Sequence, residues 1–399
     1  MPFYRIVALV ALCSLYLPVN AQEEASDASP GSIKTTTVSG LPGVESFRMQ
    51  SQLLTEFWGR PMHFDAGIVL PPDSDSARVG SDGKGPPVCY SIHGFGGSHR
   101  TAWRLGPGLR EQMASDDYPR MIYVFLNAQF PLGHHEFADS VNNGPWGQAL
   151  IEELIPSIEK HYGASSQPAG RFLTGHSSGG WSSLWLQVTY PEFFAATWST
   201  APDSVDFRDF TGIDIYNYDN AYFDPSGNEI PLSRKRQSDE WNMTIKAYSQ
   251  REAASRPYGG QMASFDAVFS PRNEDGRPMP LFDRKTGRID RFVAEAWKKY
   301  DIGLIIKNQW EELGPKLKGK IHVYIGELDT YRLEGAVKLL KTDMESLGSD
   351  AEFVLVEGAD HSSVKQPHPK WWPKGMLNHI HHEMWEHWKQ NGVSDDSTK

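Results

Sequence analysis

The stretch Arg171-Phe-Leu-Thr-Gly-His-Ser-Ser-Gly-Gly-Trp181 joins an apolar run to an amphipathic one through a Gly-x-Ser-x-Gly turn. The apolar run predicts a short buried strand, and apolar residues at i, i+3, i+4 and i+7 within 181–188 predict a buried helix. Such a sharp reversal strains the backbone at Ser177 and needs small neighbours, which the glycines at 175, 179 and 180 supply. The stretch therefore predicts a nucleophilic serine at position 177.

Apolar runs and helical patterns alternate on both sides of this stretch. The apolar runs lack a polar face, which is typical of parallel strands covered on both sides. The alternation predicts an α/β fold, with a mostly parallel sheet flanked by helices. Strands are predicted at 47–55, 62–70, 87–92, 121–126, 171–175, 195–200, 321–325 and 352–356, and helices at 146–162, 302–317, 333–347 and 377–389.

Residues 204 to about 300 interrupt the alternation and follow the sixth predicted strand. They are polar and show little periodicity until about residue 292. A structureless loop of that length is improbable in a compact domain, so this segment is predicted to be an insertion with structure of its own. Because it starts where a strand ends, we expect it to act as a lid or a substrate-pocket subdomain.

The N-terminus resembles a secretory signal. Residues 1–21 combine a single arginine, an apolar run and small residues at the cleavage-determining positions. Residues 22–43 are rich in Ser, Thr, Gly and Pro and are predicted to be a disordered linker, and 392–399 a disordered tail. The catalytic domain would then span 44–391. No apolar run is long enough to cross a bilayer, which predicts a secreted or periplasmic protein without stable membrane insertion.

The composition of the chain limits which classes of binding partner are expected. Charged residues make up 22% of the chain and the formal net charge is −11, which argues against nucleic acid as a ligand. Cys89 lies in an apolar run and is predicted to be a buried small hydrophobe. His379 and His382 share a helix face, but such helical histidines are more typical of a surface boundary, so neither a metal nor a cofactor is predicted.

A serine hydroxyl needs a base, and the base needs a group that fixes its tautomer. His361 follows the predicted strand 352–356, and Asp329 follows the predicted strand 321–325. Both therefore lie at the carboxyl ends of strands, where reactive groups gather in parallel sheets. Asp203 also follows a strand and is an alternative acid. We favour Asp329, because Gly326 permits a tight exit from its strand and sequential strands are usually adjacent.

The segment His93-Gly-Phe-Gly-Gly97 follows a strand and offers free backbone N–H groups for an oxyanion. Phe95 or Gly96 would provide one donor and Ser178, the residue after the nucleophile, the other. Residues near this predicted site are candidates for substrate binding, namely His93, Asn143, Trp146 and Asp203.

Five motifs of the chain, taken together, resemble those of a known family. They are His93-Gly-Phe-Gly-Gly97, Asn143-Gly-Pro-Trp-Gly147, Gly175-His-Ser-Ser-Gly179, Gly326-Glu-Leu-Asp329 and Asp360-His361. Together they resemble the putative esterase family of α/β-hydrolases, which includes esterase D-type, feruloyl, acetyl-xylan and ferri-siderophore esterases and mycolyltransferases. The order serine, aspartate, histidine along the chain is that of α/β-hydrolases. The insertion at 204–300 is longer than a typical member needs.

The resemblance implies an α/β-hydrolase fold and a Ser-Asp-His hydrolase that acts on an ester without a cofactor. We therefore expect a carboxylic ester hydrolase that forms an acyl-serine and takes a small-molecule or polysaccharide-linked ester. Three alternatives remain at this point: an acyltransferase with the same triad, a peptidase, and a catalytically silent binding protein of the same fold.

Overall fold

A nine-stranded sheet forms the centre of the computed structural model, which describes residues 29–72, 85–115 and 117–392. Its spatial order is β1-β2-β3-β5-β4-β6-β7-β8-β9. The strands β1 to β3 and β5 pair antiparallel, and from β5 to β9 all neighbours are parallel. The bounds are β1 Ile33–Thr37, β2 Val44–Ser51, β3 Met62–Val69, β4 Val88–Ile92, β5 Ile122–Leu126, β6 Arg171–His176, β7 Ala196–Thr200, β8 Ile321–Gly326 and β9 Glu352–Val356.

Helices cover both faces of this sheet, which confirms the predicted α/β fold. Their bounds are α1 Gln52–Trp58, α2 Thr101–Met113, α3 Trp146–Ala149, α4 Ile155–Tyr162, α5 Ser178–Thr189, α6 Ile245–Ser255, α7 Gln261–Phe269, α8 Arg291–Trp297, α9 Ile302–Leu317, α10 Leu333–Ser346 and α11 Met376–Asn391. A π turn, Leu150–Leu154, joins α3 to α4. Short 3₁₀ turns span Pro168–Gly170, Phe207–Asp209, Lys298–Tyr300 and Ser363–Lys365.

The central strands of the sheet are buried on both sides. Along β5, Ile122, Val124 and Leu126 join one hydrophobic cluster, while Tyr123 and Phe125 join the other. This double burial explains the apolar runs without a polar face, since side chains of a strand point alternately to opposite faces. Cys89 of β4 is fully buried in the second cluster.

The N-terminal part of the domain differs from the sequence prediction in two places. Strand β1 lies within 22–43, where a disordered linker was predicted, and pairs antiparallel with β2, Ile33 opposite Met49. The strand predicted at 47–55 ends at Ser51, because its hydroxyl accepts a hydrogen bond from the Leu54 N–H and caps α1. The predicted signal at 1–21 lies outside the described residues, as does nearly all of the predicted tail.

The insertion is packed onto the sheet domain over much of its length. It contains α6, α7 and α8 and a two-stranded ladder formed by Pro231–Arg234 and Trp241–Thr244. The ring of Phe269 in α7 lies 5.0 Å from that of Trp181 in α5. At the base, the Gly303 N–H donates a 2.8 Å hydrogen bond to the Val205 carbonyl. The insertion therefore shares a core with the sheet.

Within the described ranges, no helix is both long and apolar enough to cross a bilayer.

Candidate active site

Ser177 lies between β6 and α5 with φ 60° and ψ −126°, a conformation that strains a residue with a side chain. Its neighbours are crowded by backbone. A Cβ atom on Gly175 would overlap the carbonyl oxygen of Gly179, and one on Gly179 would overlap that of Ile92 in β4. Only glycine fits at either position, so the turn holds Ser177 at the carboxyl end of the sheet.

His361 and Asp329 meet because β8 and β9 are adjacent, with Gly326 opposite Val356. The Nδ1 atom of His361 lies 2.7 Å from Oδ2 of Asp329, whose side chain is fully buried. The other carboxylate oxygen accepts the Tyr331 N–H at 2.8 Å. An imidazole that donates from Nδ1 keeps Nε2 available as a proton acceptor.

The loop that carries Asp329 is also held by the insertion. Arg234 donates a 2.6 Å hydrogen bond from Nη1 to the backbone carbonyl of Asp329, and its Nη2 donates to Glu334 at 2.7 Å. The backbone N–H of Arg234 donates to the Thr330 carbonyl at 2.8 Å. The insertion thus fixes the position of a carboxylate that lies outside it.

Two aromatic rings pack against His361. The His176 ring lies 4.5 Å away, and the Tyr331 ring meets it edge-on at 5.0 Å. Burial, and then the positive charge that His361 can carry, hold the pKa of His176 well below its usual range. His176 is therefore neutral near pH 7 and shields one face of His361 without adding charge. This role of His176 was not predicted, although His176 directly precedes Ser177 in the Gly-x-Ser-x-Gly motif.

Asp203 lies beside Ser177. The Ser177 hydroxyl donates to its Oδ1 at 3.2 Å, and the Ser178 hydroxyl donates to Oδ2 at 2.6 Å. Gln261 of α7 donates to the same Oδ2 at 3.2 Å. Ser177 thus hydrogen-bonds to Asp203 and not to His361 in this structure. Burial, and then the nearby Glu136 carboxylate, raise the pKa of Asp203 to about 6.

A buried polar layer lies behind the serine turn and was not predicted. Glu136, with φ 57°, accepts a 2.8 Å hydrogen bond from the Ser182 hydroxyl in α5. Burial raises the pKa of Glu136 well above its usual range. The ring of His134 accepts the Glu136 N–H at Nδ1, 3.2 Å, and donates from Nε2 to the His93 carbonyl, 2.9 Å. The layer therefore connects the helix after Ser177 to the glycine-rich loop.

The loop 93–97 lies against Ser177, and a Cβ atom on Gly94 would come 3.0 Å from that of Ser177. The Gly97 N–H donates to the Gly94 carbonyl. Among the described residues, the N–H groups of Phe95 and Ser178 have no backbone carbonyl partner. Ser178 begins α5, where N–H groups are free by geometry. The predicted oxyanion donors are therefore available.

The other residues predicted to contact substrate are His93, Asn143 and Trp146, and they differ in their position relative to the cavity. His93 borders the cavity, but its Nε2 accepts the Ala128 N–H at 2.9 Å, and burial, then His134, lower its pKa to about 3. Asn143 and Trp146 are buried and do not line the cavity. Trp146 stacks on His135 at 3.9 Å, and its Nε1 donates to the Asn143 carbonyl. The prediction that Asn143 and Trp146 contact substrate is inconsistent with these positions.

A cavity of about 740 Å³ contains Ser177, Asp203 and His361 in its wall. One side of the wall comes from the insertion, through Thr211, Leu232, Tyr248, Gln261, Met262 and Phe265. A wall that is mostly apolar with a few convergent polar groups is typical of a small-molecule site. The position of the insertion agrees with a role in the substrate pocket.

The histidines of α11 bind groups of the protein itself. His382 contacts the Asp117 carbonyl through Nε2 at 3.0 Å, and His379 lies 3.3 Å from Glu383. In the part of the chain that the structure describes, no group of three or more His, Cys, Asp or Glu side chains could hold a metal ion.

The fold and site together define an α/β-hydrolase. The sequence profile described as Putative esterase matches residues 57–373. The chain therefore belongs to this family and is an esterase. No curated protein matched its sequence.

Two solved structures illustrate the similarity of fold. A ferulic acid esterase shares 13% identity, with 90% of this chain and 95% of that chain covered and a TM-score of 0.50. The S-formylglutathione hydrolase FrmB from Staphylococcus aureus shares 12% identity, with 86% and 99% covered and a TM-score of 0.50. At these identities the similarity concerns the fold alone.

Proposed function

We propose that this esterase is a secreted serine carboxylic ester hydrolase that acts through an acyl-serine intermediate. The observation that carries the proposal is the 2.7 Å contact between His361 and Asp329 in the cavity that also contains the strained Ser177. Ser177 is the nucleophile, His361 the general base and acid, and Asp329 the group that orients the imidazole.

In the first half of the reaction, Oγ of Ser177 forms a bond to the ester carbonyl carbon while its proton passes to Nε2 of His361. The carbonyl oxygen becomes an oxyanion, which accepts hydrogen bonds from the N–H of Ser178 and from that of Phe95 or Gly96. The bond to the alcohol oxygen then breaks, and His361 returns the proton to the leaving alcohol. The buried Asp329 carboxylate stabilises the imidazolium throughout.

In the second half, water attacks the acyl carbon and gives its proton to His361. The bond to Oγ breaks, Ser177 recovers the proton, and the carboxylic acid leaves. The hydroxyl of Ser177 donates to Asp203 in the free enzyme, so it must turn toward His361 before attack. Catalytic hydrogen bonds often form only in the substrate complex. Asp203 therefore holds the resting hydroxyl.

The N-terminal sequence supports the proposal that the enzyme is secreted. Residues 1–21 have the charge, apolar run and small residues of a secretory signal. N-terminal sequencing of the exported protein should give a start near Gln22. Recovery of the intact N-terminus in the cytoplasmic fraction alone would contradict secretion.

Labelling by a fluorophosphonate probe tests the nucleophile. The wild-type enzyme should be labelled at Ser177, and Ser177→Ala should not be labelled. Ser255→Ala, which removes an exposed serine at the end of α6, is the matched control and should be labelled like wild type. Labelling of folded Ser177→Ala at the wild-type rate would contradict the assignment.

A panel of p-nitrophenyl, feruloyl, acetyl-xylan and siderophore esters, assayed with and without an added acceptor alcohol, tests the reaction type. A hydrolase should release the free acid even when the alcohol is present. Transfer of the acyl group mainly to the alcohol would instead indicate an acyltransferase.

A further inference from the structure

Two cationic side chains border the cavity that contains Ser177. Arg104 lies in the first turn of α2, and Lys365 ends the 3₁₀ turn that follows His361. Both are exposed, which places them where the cavity meets solvent. The protein as a whole carries a net charge of −11, so a pair of cations at this opening runs against its overall charge.

The two cations line the same cavity as the proposed general base, His361. Desolvation, and then the positive charge of Arg104, lower the pKa of Lys365. The charge of Lys365 in turn contributes to the low pKa of His176, after burial and the charge of His361. Since His176 packs on His361, Lys365 lies on the same side of the cavity as the base.

Among the described residues, no carboxylate forms an ion pair with Arg104 or Lys365. Of the described residues that form the cavity wall, only Asp203 carries a carboxylate, and it is already bound by Ser177, Ser178 and Gln261. Two neighbouring cations without a counter-ion repel each other, and a bound anion would remove that cost. Apolar residues complete this side of the wall, namely Leu105, Met376, Leu377 and Ile380.

We propose that Arg104 and Lys365 form an anion subsite, and that the preferred substrates are esters carrying a carboxylate separated from the ester bond by an apolar spacer. The inference rests on the proposed ester hydrolysis at Ser177 and specifies its substrate class. Asp203 beside the nucleophile strengthens the preference for a carboxylate that is distant from the ester bond. Its negative charge repels a substrate that enters with its carboxylate toward the serine.

Matched esters test the subsite on each half of the substrate. For the acyl half, p-nitrophenyl hydrogen adipate is compared with its methyl ester. For the alcohol half, 3-acetoxybenzoate is compared with methyl 3-acetoxybenzoate. The quantity measured is the ratio of kcat/KM for the anionic ester to kcat/KM for the neutral one.

In at least one pair, the ratio should fall roughly tenfold in the double variant Arg104→Gln/Lys365→Gln, while the neutral ester is turned over as by wild type. The matched control is Arg100→Gln/Lys374→Gln, which removes two exposed cations outside the cavity wall and should leave the ratio within about twofold. Added salt should reduce the wild-type ratio. Unchanged ratios for both ester pairs in the Arg104/Lys365 variant would overturn the proposal.

Binding to Ser177→Ala separates this inference from the proposed function. Calorimetry with the four unhydrolysed esters should show tighter binding of the anionic member of a pair, and the added Arg104 and Lys365 substitutions should abolish the difference. Selective binding in an enzyme that hydrolyses no ester would reject the proposed function and retain the subsite. Hydrolysis without selectivity would reject the subsite alone.

Discussion

The serine turn and two exposed turns of the insertion at 204–300, those at Gly227 and Gly276, differ in how closely the chain is packed around them. At the turn, Gly175 and Gly179 each face a carbonyl oxygen that leaves no room for a Cβ atom. In the insertion, Gly227 and Gly276 have no atom within 4 Å of the position of an added Cβ. Backbone contacts thus fix the position of Ser177, whereas these two turns of the insertion are free of such crowding.

The two regions nevertheless meet at Asp203. Its carboxylate binds Ser177 and Ser178 from the turn and Gln261 from the insertion. A substitution in either region can therefore change the hydrogen bonds around Ser177.

The largest effect is expected at the turn. Ser177→Ala should lower kcat by at least about a thousandfold, since loss of the serine costs about 10⁶-fold in a serine protease. Alanine keeps the Cβ atom and should leave folding intact. Steady-state kinetics and a thermal melt check both statements, and activity within tenfold of wild type would remove Ser177 from the mechanism.

The next effect concerns the two carboxylates. Asp329→Asn should lower kcat by about 10⁴-fold, as the equivalent change does in a serine protease, because His361 loses the acceptor for its Nδ1–H. Asp203→Asn should cost much less, because an amide oxygen can still accept the Ser177 hydroxyl. The reverse ranking in kinetics on the two purified variants would make Asp203 the triad acid.

Because Gly179 is crowded and Gly227 is not, replacing each by alanine should lower the free energy of unfolding by different amounts. Gly179→Ala should destabilise the protein by about 3 kcal/mol or more, because the methyl group meets the backbone of β4. Gly227→Ala should cost only about 1 kcal/mol, the strain of a positive φ of 86°. Denaturant unfolding measures both, and equal costs would show that the turn can relax.

Stability should depend on pH through Asp203. Its pKa rises from 3.8 to about 6 on folding, so the folded state binds this proton more tightly than the unfolded state. The contribution is present below pH 3.8 and is lost as the pH rises toward 6. At about 1.4 kcal/mol per pKa unit, the loss is on the order of 3 kcal/mol.

The asparagine of Asp203→Asn cannot ionise, so the variant should not lose this stability as the pH rises. The free energy of unfolding of the variant relative to wild type should therefore increase between pH 4 and pH 7. Urea titrations of both proteins at the two pH values provide the comparison. A constant difference would mean that Asp203 has an ordinary pKa in the folded state.

The smallest effect is expected in the insertion. Tyr248 lines the cavity from α6, so Tyr248→Ala should change the relative kcat/KM of long and short acyl esters by about three- to tenfold and leave short esters nearly unaffected. Phe292→Ala, an exposed aromatic of α8 outside the cavity wall, is the control. Equal selectivity in the two variants would argue against a pocket role for α6.

Local patterns in the sequence predicted most of the sheet and the positions of Ser177, Asp329 and His361. These residues are recognisable because each follows a strand, and strand ends meet at one edge of a parallel sheet. Strand β1 was missed because its sequence Ile-Lys-Thr-Thr-Thr is polar and mostly exposed, although threonine favours strands.

Residues whose roles depend on tertiary packing could not be predicted. Glu136 follows no strand pattern, and only the fold brings its carboxylate to Ser182 in α5. Gln261 lies in a segment without a readable motif, 58 positions from Asp203. Asn143 and Trp146 belong to a recognisable motif, yet they stabilise the core beneath the site.

The hydrogen bond between Gly303 and Val205 has a consequence for how such enzymes diversify. The two ends of the insertion meet at this bond, so the entropy of closing the intervening loop changes only slowly with its length. The segment 206–302 can be regarded as an exchangeable unit. Recombination within it would alter ester preference without shifting strand register, if two sets of contacts are retained. These are the aromatic contacts at its base, such as that between Phe207 and Trp297, and the hydrogen bonds of Arg234 to the loop that carries Asp329.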